Sequence, residues 1–94
     1  MVKKEELLGR VVYSKVGRDS GKAFIILDKI DDNYVSIIDG DLRKVEKPKK
    51  KKIKHLNITN DVIEDIKKLI ISKESLSNAE VKKYLGNRDV IKEG

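Results

Sequence analysis

Leu8-Gly9-Arg10-Val11-Val12-Tyr13-Ser14-Lys15-Val16-Gly17-Arg18-Asp19-Ser20-Gly21-Lys22-Ala23-Phe24-Ile25-Ile26-Leu27-Asp28-Lys29-Ile30 is the stretch on which the fold turns. Residues 10–16 are rich in β-branched side chains and stop at 17–21, where two glycines surround polar residues. That is a strand followed by a tight turn. Residues 23–30 are almost continuously apolar, as a strand in a small barrel can be.

Downstream, Asp31-Asp32-Asn33 supplies turn residues, residues 34–38 read as the next strand, and Asp39-Gly40-Asp41 is another turn signal. Residues 42–45 and 53–56 are then expected as a last strand pair around Glu46-Lys47-Pro48-Lys49. Pro48 suits a loop or an edge, because it cannot donate a ladder hydrogen bond. Five short strands with no room for βαβ crossovers predict a small antiparallel barrel whose closure hides most sheet edges. Its expected core is Val11, Ala23, Ile25, Leu27, Val35, Ile37, Val45 and Ile53.

After Asn57 the period changes. Val62, Ile63, Ile66, Leu69 and Ile70 fall within an arc of about 120° at helical spacing, the stripe of an amphipathic helix. Thr59 or Asn60 is its expected cap. Ser77-Asn78-Ala79-Glu80 is a capping box, flanked by Leu76 and Val81 as a hydrophobic staple, and Gly86 suits the C-terminal cap of this second helix. The predicted fold is therefore mainly β with an α extension: a barrel over residues 1–58 and a helical tail of about two helices over 59–94.

The chain has 94 residues, enough for one compact domain with an appendage. It contains no cysteine, which excludes disulfides and thiolate metal sites, and no tryptophan. No stretch approaches the roughly 20 apolar residues that span a bilayer, and MVKKEELLGR lacks the apolar run of a secretory signal, so a cytoplasmic protein without membrane association is expected. The net charge of +6 is unevenly spread. Residues 1–58 hold 15 Lys and Arg against 9 Asp and Glu, whereas residues 59–94 hold 7 against 7. Residues 43–54 alone carry eight basic residues and one acid, Glu46. A charge this local describes a binding surface better than it describes solubility.

The run from Leu8 to Lys22, continuing through Ala23 to Ile38, resembles the KOW motif, with Gly21 as its loop glycine. More narrowly, four ordered elements, Gly9-Arg10, Gly17-Arg18-Asp19-Ser20-Gly21, Ile30-Asp31-Asp32-Asn33-Tyr34-Val35 and Lys54-His55-Leu56, make residues 7–58 similar to bacterial KOW-domain RNA-binding proteins related to large-subunit ribosomal protein fourteen of the archaeal and eukaryotic type. The resemblance implies an SH3-like barrel that contacts ribosomal RNA. It implies nothing for the helical tail.

The residues themselves point to a polyanion. Arg43, Lys44, Lys47, Lys49, Lys50, Lys51, Lys52 and Lys54, on two strands joined by a loop, would crowd one rim, where self-repulsion costs stability unless phosphates neutralise it. A second candidate is the loop with Lys15, Arg18, Ser20, Gly21 and Lys22. Its glycines would let the backbone approach a phosphate, while Ser20 and backbone N–H groups donate and Arg18 grips two oxygens. His55 would touch a base or a phosphate, and Tyr13 and Tyr34 offer stacking faces. A single histidine rules out a multi-histidine metal site. Asp31 and Asp32 read as turn formers with no nucleophile or base beside them, and neither a P-loop nor a G-x-S-x-G sequence occurs. The expected protein is a non-catalytic, monomeric RNA binder with no cofactor and no small-molecule substrate, its partner ribosomal RNA or the ribosome. The alternative is a protein-interaction module of the translation or transcription machinery, docking a ribosomal or transcription protein through the amphipathic tail.

Overall fold

The computed structural model of the chain describes residues 3–18 and 20–86. One helical turn, α1 (Lys4–Leu7), leads into β1 (Arg10–Ser14), β2 (Ala23–Lys29), β3 (Tyr34–Ile38) and β4 (Lys49–Lys52). A 3-10 turn (Ile53–His55) then connects to β5 (Leu56–Val62), followed by α2 (Glu64–Ile71) and α3 (Asn78–Leu85). The strands form one antiparallel sheet in the order β4-β3-β2-β1-β5. The first three strands fall where the apolar runs predict them.

Both faces of this sheet are covered. The register places Val11, Ile25 and Ile38 side by side, and that face packs against Ile66, Val81 and Leu85 from the two helices and Ile63 just before α2. The opposite face gathers Val12, Phe24, Ile26, Val35 and Ile37 with Leu7 and Leu56. The eight expected core residues thus divide between two clusters: Val11, Ala23 and Ile25 belong to the first, Val35 and Ile37 to the second. Leu27, Val45 and Ile53 are only partly buried. The register divides them: Ile25 pairs with Ile38 and Ile26 with Ile37, so Ile25 and Ile37 face opposite ways. Further along, Asp28 pairs with Ser36, so Leu27 is an extra residue at a bulge.

Two expectations for the third quarter of the chain are corrected. Residues 42–45 do not form a strand. Asp39, 7% exposed, accepts the N–H groups of Asp41 (2.9 Å) and Arg43 (2.8 Å) through Oδ1, while the Arg43 carbonyl accepts those of Asp39 and Gly40. These local bonds consume the groups that a ladder would need. Of the expected basic strand pair, only Lys49–Lys52 lie on a strand; Lys44 and Lys47 are in the turn before it and Lys54 in the 3-10 turn after it. The last strand also begins where it was expected to end, at Leu56, so the change expected at residue 58 falls inside β5.

Thr59 and Asn60 are accordingly strand residues and do not cap α2, whose N-cap is Ile63 without a side-chain bond. Between the pairs Arg10↔Val62 and Val12↔Ile58 the β1–β5 register shifts, and Thr59 organises the irregularity. Its hydroxyl donates to the Val11 carbonyl at 2.6 Å and accepts from the Asp61 N–H at 3.0 Å, while Arg10 donates to the Thr59 carbonyl at 2.8 Å.

The helices are seated on glycines. A Cβ on Gly9 would lie 2.8 Å from Lys67 Cβ and 3.0 Å from Lys67 Cα in α2. One on Gly40 would lie 2.5 Å from the Asn78 carbonyl oxygen in α3. The second helix expected from the capping box starts as predicted: Ser77 Oγ accepts the Glu80 N–H, and Glu80 Oε1 accepts the Ser77 N–H. Leu76 and Val81 meet in one apolar cluster, and Gly86 ends the helix at φ +40°.

Candidate nucleic-acid interface

Period-two alternation divides the lysine strand. Lys49 pairs with Ile37 and Lys51 with Val35, so both share the face of the second apolar cluster. Lys50 and Lys52 pair with Ser36 and Tyr34 and point the other way. Among the described residues the ion pairs are Lys4–Asp28, Lys22–Asp39 and Lys29–Asp32. No carboxylate among the described residues pairs with the four consecutive lysines, and Pro48, just before the strand, follows a turn closed by the Lys47 N–H on the Lys44 carbonyl.

On the Lys49 and Lys51 side, the strand faces the β1–β2 loop across a groove. Arg18 and Lys22 from that loop, Arg43 from the Asp39 turn, and Lys49 and Lys51 line it, with Val16, Gly17 and Leu42 completing the wall. Five cations from three separate segments thus meet at one surface. Lys22 is the least available, because its Nζ lies 3.6 Å from the buried carboxylate of Asp39. Val16 and Leu42 are exposed apolar residues of this wall, which a search for charge does not find.

The loop itself differs from expectation in its donors. The Ser20 N–H is used on the Gly17 carbonyl (3.1 Å), the Gly21 N–H on the Ser14 carbonyl (2.7 Å), and the Ser20 hydroxyl donates to the Lys15 carbonyl (3.2 Å). These groups close the loop and are not aimed at a ligand. Gly17 and Gly21 have φ of +79° and +85°, so their first role is conformational. Arg18 remains the exposed cation of this loop on the groove. Lys15 is exposed beside it, its N–H donating to the His55 carbonyl at 2.9 Å. His55 is half-buried in the 3-10 turn, and Lys44, Lys47 and Lys54 are exposed outside the groove.

On the Lys50 and Lys52 side lies a second concavity, lined by Asp32, Asn33, Tyr34, Lys52, Ile53 and Lys54. The turn that forms it is held by Asp31, whose Oδ1 accepts the N–H groups of Asn33 (2.7 Å) and Tyr34 (2.8 Å), as its turn-forming role predicts. The Asn33 carbonyl accepts the Ile53 N–H at 2.8 Å, tying the turn to the end of β4. Lys50 Nζ lies 4.6 Å from the centre of the Tyr34 ring.

Behind the Arg43 turn, α3 clamps the chain. Asn78 Oδ1 accepts the Val45 N–H at 2.8 Å, and Asn78 Nδ2 donates to both Glu46 carboxylate oxygens at 2.9 and 3.2 Å. That amide bond, helped by the Glu46 backbone and the Lys44 charge, holds the Glu46 carboxyl below the usual carboxylate range. The one acid within residues 43–54 is thereby fixed on the helix.

Among the described residues no cluster of three or more His, Asp or Glu could hold a metal ion, and no helix is long and apolar enough to cross a membrane. Compared with protein-family models and with curated proteins, the chain matches none.

Proposed function

We propose that this is a non-catalytic RNA-binding protein, built as an SH3-like barrel of the KOW kind, that grips the sugar–phosphate backbone in the groove between the β1–β2 loop and β4. The observation that carries this reading is the convergence of Arg18, Lys22, Arg43, Lys49 and Lys51 beside a strand whose lysines have no acidic partner among the described residues. Such a surface is destabilised by its own repulsion and relieved by phosphates. Backbone contacts of this kind position RNA without reading sequence.

The barrel reading rests on connectivity. β4 and β5 stand at opposite ends of the strand order, so in a flat sheet they would be about 19 Å apart, four spacings of about 4.8 Å. A 3-10 turn of three residues joins them, and at about 2.0 Å per residue it covers only about 6 Å. The Lys15 N–H, just past β1, reaches the His55 carbonyl, and the Ile53 N–H reaches Asn33, just before β3, so the same turn bonds beside both strands that flank β2. Strong curling accounts for this. The resemblance of residues 7–58 to KOW proteins of the ribosomal type makes ribosomal RNA the first candidate and the cytoplasm the compartment.

A protein-interaction role through the tail has less support, because Ile63 and Ile66, from the stripe that motivated it, pack against the chain's own sheet. The test is ribosome co-sedimentation of a Lys49→Glu, Lys51→Glu variant whose circular dichroism matches the unmodified protein. The expected outcome is loss of co-sedimentation; full retention would remove the groove from the account.

A further inference from the structure

The concavity opposite the groove has a composition that backbone binding does not explain. Tyr34 and Ile53 provide apolar surface, Asn33 lies on the turn, and Lys52 and Lys54 flank it. Among the described residues the Asn33 side chain makes no hydrogen bond, since Asp31 holds the turn through the main chain alone. Its amide therefore presents a free donor and a free acceptor. Lys50 lies over the Tyr34 ring yet does not line the concavity, so it can occupy one face of the ring and leave the other to a ligand. Asp32 is the acid on the rim, and Lys29 Nζ engages it at 3.2 Å.

A flat aromatic face, an adjacent amide with both hydrogen-bonding senses and two flanking ammonium groups are what an unpaired nucleotide requires. The base stacks, its edge meets the amide, and the phosphates on either side meet the lysines. Resting on the RNA-binding reading, we propose that this notch holds one unpaired base of the bound RNA. Asn33 meets its edge, Tyr34 its face, and Lys52 and Lys54 its neighbouring phosphates. The two sides of β4 then divide the work: Lys49 and Lys51 hold backbone in the groove, and Lys52 sets a splayed base against the turn. The protein would accordingly favour RNA with a loop or bulge over a continuous duplex.

The test compares a hairpin RNA carrying an unpaired loop with a fully paired duplex of equal phosphate number, using the full chain and Asn33→Ala, Tyr34→Ala, Tyr34→Phe and Lys49→Ala/Lys51→Ala variants. Tyr34→Ala should weaken hairpin binding about tenfold, and Tyr34→Phe should restore it, because stacking needs the ring and not the hydroxyl. Asn33→Ala should weaken it about fivefold with the salt dependence unchanged, since no charge is lost. On the unmodified protein, the Asn33 side-chain amide and Tyr34 ring resonances should shift with the hairpin and not with the duplex. If hairpin and duplex bind alike and Asn33→Ala and Tyr34→Ala behave as the unmodified protein, while Lys49→Ala/Lys51→Ala weakens both RNAs, the notch proposal is overturned and RNA binding stands. If neither RNA binds at low salt, the RNA-binding reading falls, and the notch falls with it.

Discussion

A methyl group on Gly9 would press on the backbone of α2, whereas one on Gly17 would meet nothing within 4 Å, although both residues have positive φ. The left-handed conformation alone costs an L-residue about 1–2 kcal/mol. Gly17→Ala should therefore lower stability by about that amount, and Gly9→Ala by clearly more; equal urea midpoints would contradict the seating of α2 on Gly9. Lys73 is the reverse case, a non-glycine residue at φ +60°. It ends α2 with its own N–H on the Ile70 carbonyl and the Glu74 N–H on the Leu69 carbonyl, a Schellman arrangement whose favoured residue is glycine. Lys73→Gly should raise stability by about 1 kcal/mol in the same measurement. Glu46 gives the fold a pH dependence. Its folded carboxyl titrates below its unfolded value, so its contribution is present above the unfolded value and fades as pH falls through the folded one. Asn78→Ala should remove that acid-side loss, as read from unfolding curves between neutral and acidic pH. At this scale Gly21 and Asp31 were legible because turn chemistry is local. Gly9 and Gly40 were not legible as helix seats, since their partners lie at Lys67 and Asn78, far along the chain.

Local chemistry also explains which elements the sequence reveals. The capping box of α3 involves Ser77 and Glu80 alone and stands where it was expected. The start of α2 involves competition with β5, and there Thr59 serves the strand register, not the helix. β4 was mislocated for a related reason. Charge marks residues 43–54 as one block, but Asp39 accepting the Arg43 N–H and the Lys47 N–H on the Lys44 carbonyl hold residues 39–47 in turns, so the strand begins only at Lys49. The division of the core between two faces was hidden because the β2–β3 register, which pairs Ile25 with Ile38 and not with Ile37, leaves no mark on a continuous apolar run. The helices, expected as an extension, complete the core: Ile66 and Val81 are both fully buried against Val11 and Ile25. Ile66→Ala should cost about 2–5 kcal/mol. A chain ending at residue 58 loses half of β5 along with this layer, and it should show no cooperative thermal transition; a sharp one would mean that the sheet folds without the helices.

Across the whole molecule, charge asymmetry was the feature most legible in the sequence, and its sorting was the least. Eight basic residues within 43–54 are visible at once. That only Arg43, Lys49 and Lys51 among them line the groove with Arg18 and Lys22 depends on strand alternation and on two turns, neither of which has a charge signature. The same alternation leaves Lys52 to the opposite side with Asn33 and Tyr34. The protein thus presents two basic surfaces back to back across one edge strand, and α3 fixes the one acid of residues 43–54 through the Asn78 clamp on Glu46. The central claim is that these surfaces exist to hold RNA phosphates, and the affinity of the full chain for structured RNA over a salt series tests it most directly. Neutralisation of about four to eight phosphates predicts a slope of log affinity against log salt of roughly −3 to −6, reduced by about one for each of Lys49 and Lys51 replaced by alanine. A shallow slope that these replacements leave unchanged would contradict the account.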